Sequence, residues 1–143
     1  MNRNEMTCVF TSKSQNESLA RMVAAAFVAQ LNPTIEELAD VRTAVSEAVT
    51  NSIVHGYGDR EGVIELRFLS EGDILRIQIR DYGVGIEDVE LAKQPFYTSK
   101  DTLERSGMGF AVMEAFMDTL EVESTVGEGT TVAMTKRIGA DDE

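Results

Sequence analysis

Glu47, Asn51 and His55 stand four residues apart in the stretch Thr43-Ala-Val-Ser-Glu-Ala-Val-Thr-Asn-Ser-Ile-Val-His-Gly56. On an α-helix that spacing stacks side chains along one face. The opposite face is apolar, with Ile35, Leu38, Val41, Val45, Ala48, Val49 and Ile53. A carboxylate, a carboxamide and the chain's only imidazole would then lie in line above a buried seam. Such a line suits a metal–phosphate site with a base beside it. The same residues also suit a solvated helix face, worth about a few tenths of a kcal/mol. His55 followed by Gly56 equally suits a helix end, where a cation and a glycine are both favoured.

Two later segments bear on that choice. Asp81-Tyr-Gly-Val-Gly85 follows an alternating apolar run. An Asp at the end of a buried strand holds its carboxylate with little freedom and could accept a hydrogen bond from the exocyclic amine of adenine. Gly83 and Gly85 would let a flat ligand approach the backbone. An ordinary turn containing an Asp fits the same letters. Ser106-Gly107-Met108-Gly109-Phe110 leads from a loop into a helical pattern. Unpaired N–H groups at a helix start bind phosphate, and glycines expose them. A Ser N-cap with flexible neighbours fits as well. The segment is neither a P-loop nor a dinucleotide fingerprint, because no G-x-x-x-x-G-K-[ST] is present and Val112 stands where a third Gly belongs.

The elements that must position these residues follow from periodicity. Residues 6–11 alternate and predict a strand. Asn16 can cap a helix that turns Leu19, Val23, Ala26, Phe27 and Leu31 inward and ends before Pro33. Thr34 with Glu37 forms a capping box for the next helix, which runs to His55-Gly56. A turn over 57–62 leads to strands at 63–69 and 74–80, joined by a hairpin. A short helix is expected over 87–93, a long loop over 94–105, a helix over 107–118, and strands over 120–126 and 130–137. Hairpin-joined strands exclude an all-parallel sheet. The expected fold is a two-layer α/β sandwich, a mixed and mostly antiparallel sheet covered by helices on one face.

Composition narrows the function. The 143 residues suit one domain with a proper core, placed at 1–138 with an acidic tail at 139–143. The formal net charge is −12, which disfavours direct nucleic-acid binding and favours a basic protein partner. The single Cys8 forms no internal disulfide and matches a reducing, cytoplasmic setting. No signal peptide is expected, and the longest apolar run, eight residues over 22–29, is too short to span a bilayer.

Taken in order, E-x-x-x-N-x-x-x-H-G, D-x-G-x-G, a loop and G-x-G opening a helix resemble the N, G1 and G2 boxes of the ATP-binding (Bergerat-type) fold shared by DNA gyrase, heat-shock chaperones, histidine kinases and mismatch-repair ATPases. Residues 45–57, 27–31 and 103–110 further resemble the anti-sigma-F serine kinases of spore-forming bacteria, almost end to end. The resemblance implies an ATP/ADP and Mg²⁺ site. Asn51 would ligate the metal and Glu47 would act as general base. Asp81 would hold the adenine amine, with Gly83 and Gly85 shaping its pocket and Thr130 reaching the base. Residues 94–106 match the ATP lid. Its Thr98, Ser99, Lys100, Arg105 and Ser106 would close over phosphates, beside Gly107, Met108, Gly109 and Phe110. Arg21 matches an arginine that contacts protein partners. His55 falls outside these roles and reads as a helix cap.

The implied activity is that of an anti-sigma factor. It would hold a sigma factor of sigma-F type and phosphorylate an anti-anti-sigma partner on serine, as a homodimer that binds neither nucleic acid nor membrane. Alternatives are a stress-response anti-sigma kinase with another sigma partner, a nucleotide-gated binding module without kinase activity, and a simple ATPase or chaperone fragment.

Overall fold

A computed structural model describes residues 2–94 and 109–139. The elements run β1 (Arg3–Thr11), α1 (Gln15–Ala29), α2 (Ile35–Asn51), a π-helical turn continuing α2 (Ser52–Tyr57), β2 (Val63–Glu71), β3 (Ile74–Asp81), α3 (Val89–Ala92), α4 (Phe110–Phe116), β4 (Thr119–Thr125) and β5 (Gly129–Arg137). Among the described residues no helix is long and apolar enough to cross a membrane.

The five strands form one sheet in the order β1-β2-β3-β5-β4. Every neighbouring pair is antiparallel, so the sheet holds no parallel ladder where the sequence allowed one. The reason lies in the connections. Two helices separate β1 from β2, so the chain reverses three times, an odd number, and returns antiparallel. β3 and β4 do run in the same direction, but β5 lies between them and pairs with both.

Alternation decides which face is covered. Ile64, Leu66 and Phe68 of β2, with Leu75, Ile77 and Ile79 of β3, are buried, whereas Arg67 and Arg76 between them are exposed. The buried set meets Ala20, Ala24, Phe27 and Val28 of α1 and Val41, Ala44, Val45, Ala48 and Val49 of α2 in one core. The Phe27 and Phe68 rings stack at 5.2 Å. The two-layer sandwich is therefore as the pattern predicts.

Details of α1 differ from expectation. Ala20 and Ala24 face inward, whereas Leu19 is 56% exposed and Ala26 is also exposed. Small residues buried on both helices, Ala20 and Ala24 of α1 with Ala44 and Ala48 of α2, suit a close helix–helix contact. Asn16 does not cap the helix, because its carboxamide donates to the Thr11 carbonyl at 2.8 Å and ties the helix start to the end of β1. Ile35, expected on the inner face of α2, is 88% exposed in the first turn.

The capping box of α2 is complete. Glu37 N–H donates to Thr34 Oγ1 at 3.0 Å, and Thr34 N–H donates to Glu37 Oε1 at 2.9 Å. That same Glu37 oxygen accepts from Gly139 N–H at 3.0 Å, so the start of α2 also holds the chain just past β5. Thr34→Ala is expected to lower stability by about 1 kcal/mol, read by urea denaturation, without changing nucleotide affinity.

Candidate nucleotide-binding site

One rung of the sheet ladder organises the site. Phe10, Ile64, Asp81, Thr130 and Ser124 stand opposite one another on five adjacent strands. The next rungs inward on this face carry Ile79 and Val132. The core thus changes from apolar to polar at its rim. Asp81 is 3% exposed there. Its Oδ2 accepts from the Ser52 hydroxyl at 2.8 Å and its Oδ1 from Gly83 N–H at 3.0 Å. An ionised carboxylate has about four acceptor sites, so two donors hold it and leave it able to accept a third. Thr130 Oγ1 lies 2.8 Å from Ser124 Oγ, which also accepts from Ile86 N–H at 2.7 Å.

The wall beneath Asp81 is backbone. A Cβ on Gly56 would fall 3.1 Å from three atoms of the Asp81 carboxyl group, and one on Gly83 would fall 2.2 Å from the Gly56 carbonyl oxygen. That carbonyl accepts from Val84 N–H at 2.9 Å. Gly83 is therefore needed for close approach. Gly85 takes a φ of +81°, where side chains are strained. These glycines let the segment after Asp81 pack closely against the π turn and the end of β4.

Glu47 and Asn51 lie one turn apart near the end of α2. Asn51 is buried, its amide oxygen included. Glu47 is half-buried, and burial lifts its carboxyl above the ordinary glutamate range, with the charge of Glu17 adding to the shift. Glu17 in turn accepts a hydrogen bond from Ser46 and pairs with Arg21 at 3.8 Å. A Cβ on Gly109 would fall 2.2 Å from Glu47 Oε1, and Gly109 has a φ of +66°. Only glycine lets the start of α4 sit against this carboxylate. Phe110 is buried in the core, so only its backbone is placed to meet a ligand. The π turn continues through His55 to Tyr57 and ends at Gly58, whose φ is +60°, so His55 is the basic residue of the last helical turn and the stop falls two residues later than Gly56. Thr98, Ser99, Lys100, Arg105, Ser106, Gly107 and Met108 lie outside the described residues.

Residues 10–136 match the family model of the histidine kinase-like ATPase domain. The chain is 59% identical over 138 residues to the anti-sigma F factor of Thermoanaerobacter sp. (strain X514), covering 96% of each. It is 57% identical over 133 residues to that of Clostridium kluyveri, covering 93% of this chain and 94% of the relative. The chain belongs to the anti-sigma F factors. Solved structures agree with this family's fold. The RsbU and RsbW domains of Rv1364c from Mycobacterium tuberculosis superpose with a TM-score of 0.67 at 19% identity, covering 94% of this chain and 32% of that one. The catalytic domain of histidine kinase ThkA superposes with a TM-score of 0.59 at 13% identity, covering 96% and 97%.

In this anti-sigma F factor, the fold gathers Glu47, Asn51, Asp81, Gly83, Gly109 and Thr130, all singled out from the sequence, at one end of α2 and of the sheet. The sequence alone did not single out Ser52, Tyr57 and Ser124. Ser52 offered a signal in hindsight, as a small polar residue next to Asn51. Tyr57 offered none, because the sequence reads it as the first residue of a turn.

Proposed function

We propose that this chain is an ATP- and Mg²⁺-dependent protein serine kinase that also holds a sigma factor of sigma-F type. It would release the sigma factor by phosphorylating an anti-anti-sigma partner on serine. The observation that carries the reading is the placement of Glu47 one helical turn before buried Asn51, against Gly109, with Asp81 held by two donors nearby.

The residues present fit the group. Asn51 presents a neutral hard oxygen, as Mg²⁺ prefers when phosphates supply most of its other ligands. When bound, Mg·ATP supplies the phosphoryl group and the cation that neutralises its charge. Asp81 would accept the adenine amine, Gly83 and Gly85 would admit the ring, and the Thr130 hydroxyl would reach it directly or through water. Glu47 would take the proton of the incoming serine hydroxyl, helped by a carboxyl pKa already raised by burial. Thr98, Ser99, Lys100, Arg105 and Ser106 of the lid, with Gly107, Met108, Gly109 and the Phe110 backbone, are assigned to the phosphates. Arg21, on the outward side of α1, is assigned to a protein partner. The family supports a cytoplasmic homodimer.

The test is incubation with labelled ATP, Mg²⁺ and the candidate anti-anti-sigma protein, reading phosphoserine. Label on serine, dependent on Mg²⁺, is expected. Nucleotide binding without transfer would leave a nucleotide-gated binding module. Turnover of ATP without the protein substrate would point to a simple ATPase.

A further inference from the structure

The π turn touches the Asp81 segment at three points. The Ser52 hydroxyl donates to Asp81 Oδ2, the Gly56 carbonyl accepts from Val84 N–H, and Tyr57 Oη accepts from Tyr82 N–H at 2.7 Å. Tyr57 Oη also donates to the Val63 carbonyl at 2.6 Å. One phenol thus bridges the start of β2 and the residue just past β3. In a continuous α-helix, Ser52 and Tyr57 would point about 140° apart, at 3.6 residues per turn. A π turn closes i to i+5, as the Gly58 N–H to Ile53 carbonyl bond of 3.0 Å does here. That closure puts residues five apart on one side, so both side chains reach the same segment.

The ring has little room to move. Tyr57 is buried, and a Cβ on Gly62 would fall 2.2 Å from its Cε1. Tyr82 N–H immediately precedes the peptide whose own N–H, on Gly83, donates to Asp81 Oδ1. Releasing Tyr82 would free that peptide to rotate and would leave the carboxylate held from the Ser52 side alone.

We propose that Tyr57 is a positioning residue for base recognition: its hydroxyl fixes the backbone beyond Asp81, so that the carboxylate accepts a purine amine and rejects a keto oxygen. This rests on the reading of Asp81 as the acceptor for the adenine amine. The argument concerns the orientation of an acceptor. A carboxylate fixed by two donors keeps its remaining lone pairs directed, whereas a pivoting one can turn away from a keto oxygen and lose selectivity.

The experiment compares ADP with inosine diphosphate, which carries a keto oxygen where adenine carries its amine. Calorimetry on wild type and Tyr57→Phe gives both affinities, and a thermal scan without nucleotide gives stability. Wild type is expected to prefer ADP by about tenfold or more, and Tyr57→Phe to narrow that ratio by at least about threefold, mainly by weaker ADP binding. An unchanged ratio in Tyr57→Phe, even with a lowered melting midpoint, makes Tyr57 a packing residue and overturns the proposal. A wild type indifferent to the two bases overturns the Asp81 reading itself. Should Tyr57→Phe fail to fold, exchange of the Tyr82 amide proton in wild type decides. Stronger protection by ADP than by inosine diphosphate supports the proposal, and equal protection refutes it.

Discussion

Glu47→Ala is expected to cut phosphotransfer by about 10²–10⁴-fold, the usual contribution of a positioned general base, while ADP affinity stays within about twofold. The two effects separate because of where Glu47 lies. It sits on α2 a full turn from Asn51 and against Gly109, apart from the Asp81 rung. Shortening the side chain removes the carboxylate without creating a clash, since its closest neighbour at Gly109 has no side chain. Glu47→Gln keeps the shape and should be as inactive. Because burial raises this carboxyl above the ordinary value of 4.5, the wild-type rate should fall on acidification at a pH above that value, as the base takes up its proton. Transfer retained in Glu47→Ala would remove Glu47 from the mechanism.

Asp81→Asn is expected to weaken ADP binding by roughly five- to 150-fold. The wild-type carboxylate already accepts from Ser52 and Gly83 at the same time, and the adenine amine would be a third donor. A carboxamide keeps one acceptor oxygen and gains an NH₂ group. Whichever way it is turned, one proton among the Ser52 hydroxyl, the Gly83 amide and the adenine amine loses its acceptor. In a site this buried that costs ~1–3 kcal/mol. Turned toward the Gly83 amide or the adenine amine, the new NH₂ also meets another donor; turned toward Ser52 it can donate to the hydroxyl, which then loses Asp81 as its own acceptor. Calorimetry showing unchanged ADP affinity would refute the role.

The parts of this site that were legible in the sequence are those governed by short-range rules. Asp81 could be placed because Ile77, Ile79 and Asp81 share a period of two, which fixes the face and the end of the strand. Thr34 and Glu37 marked the start of α2 through a local capping exchange. Glu47 and Asn51 followed from that start by helical spacing. Their functional meaning, however, came from three boxes in order and not from the spacing itself. The π turn was not legible. It differs from an α turn by less than one residue, and the letters Ser-Ile-Val-His-Gly-Tyr carry no pattern that separates the two. Gly56 was therefore read as a helix stop. The fold instead uses its missing side chain to bring the backbone under Asp81. Leu19 was misplaced for a different reason. Periodicity favours the larger apolar residue for the core, but close helix packing selected Ala20 and Ala24.

The shared Glu37 oxygen has a practical meaning for handling the protein. It joins the first turn of α2 to Gly139, so amide exchange is expected to show that turn and the chain just past β5 opening together. Glu37 and Asn51 are 14 residues apart in one helix, about 21 Å at 1.5 Å per residue. Loosening that begins where the chain leaves the sheet therefore starts at the ends of α2 and β5 that lie away from Asn51 and Thr130. An affinity tag or fluorophore appended beyond Gly139 is therefore expected to leave nucleotide binding unchanged, and ADP titrations on tagged and untagged protein should coincide.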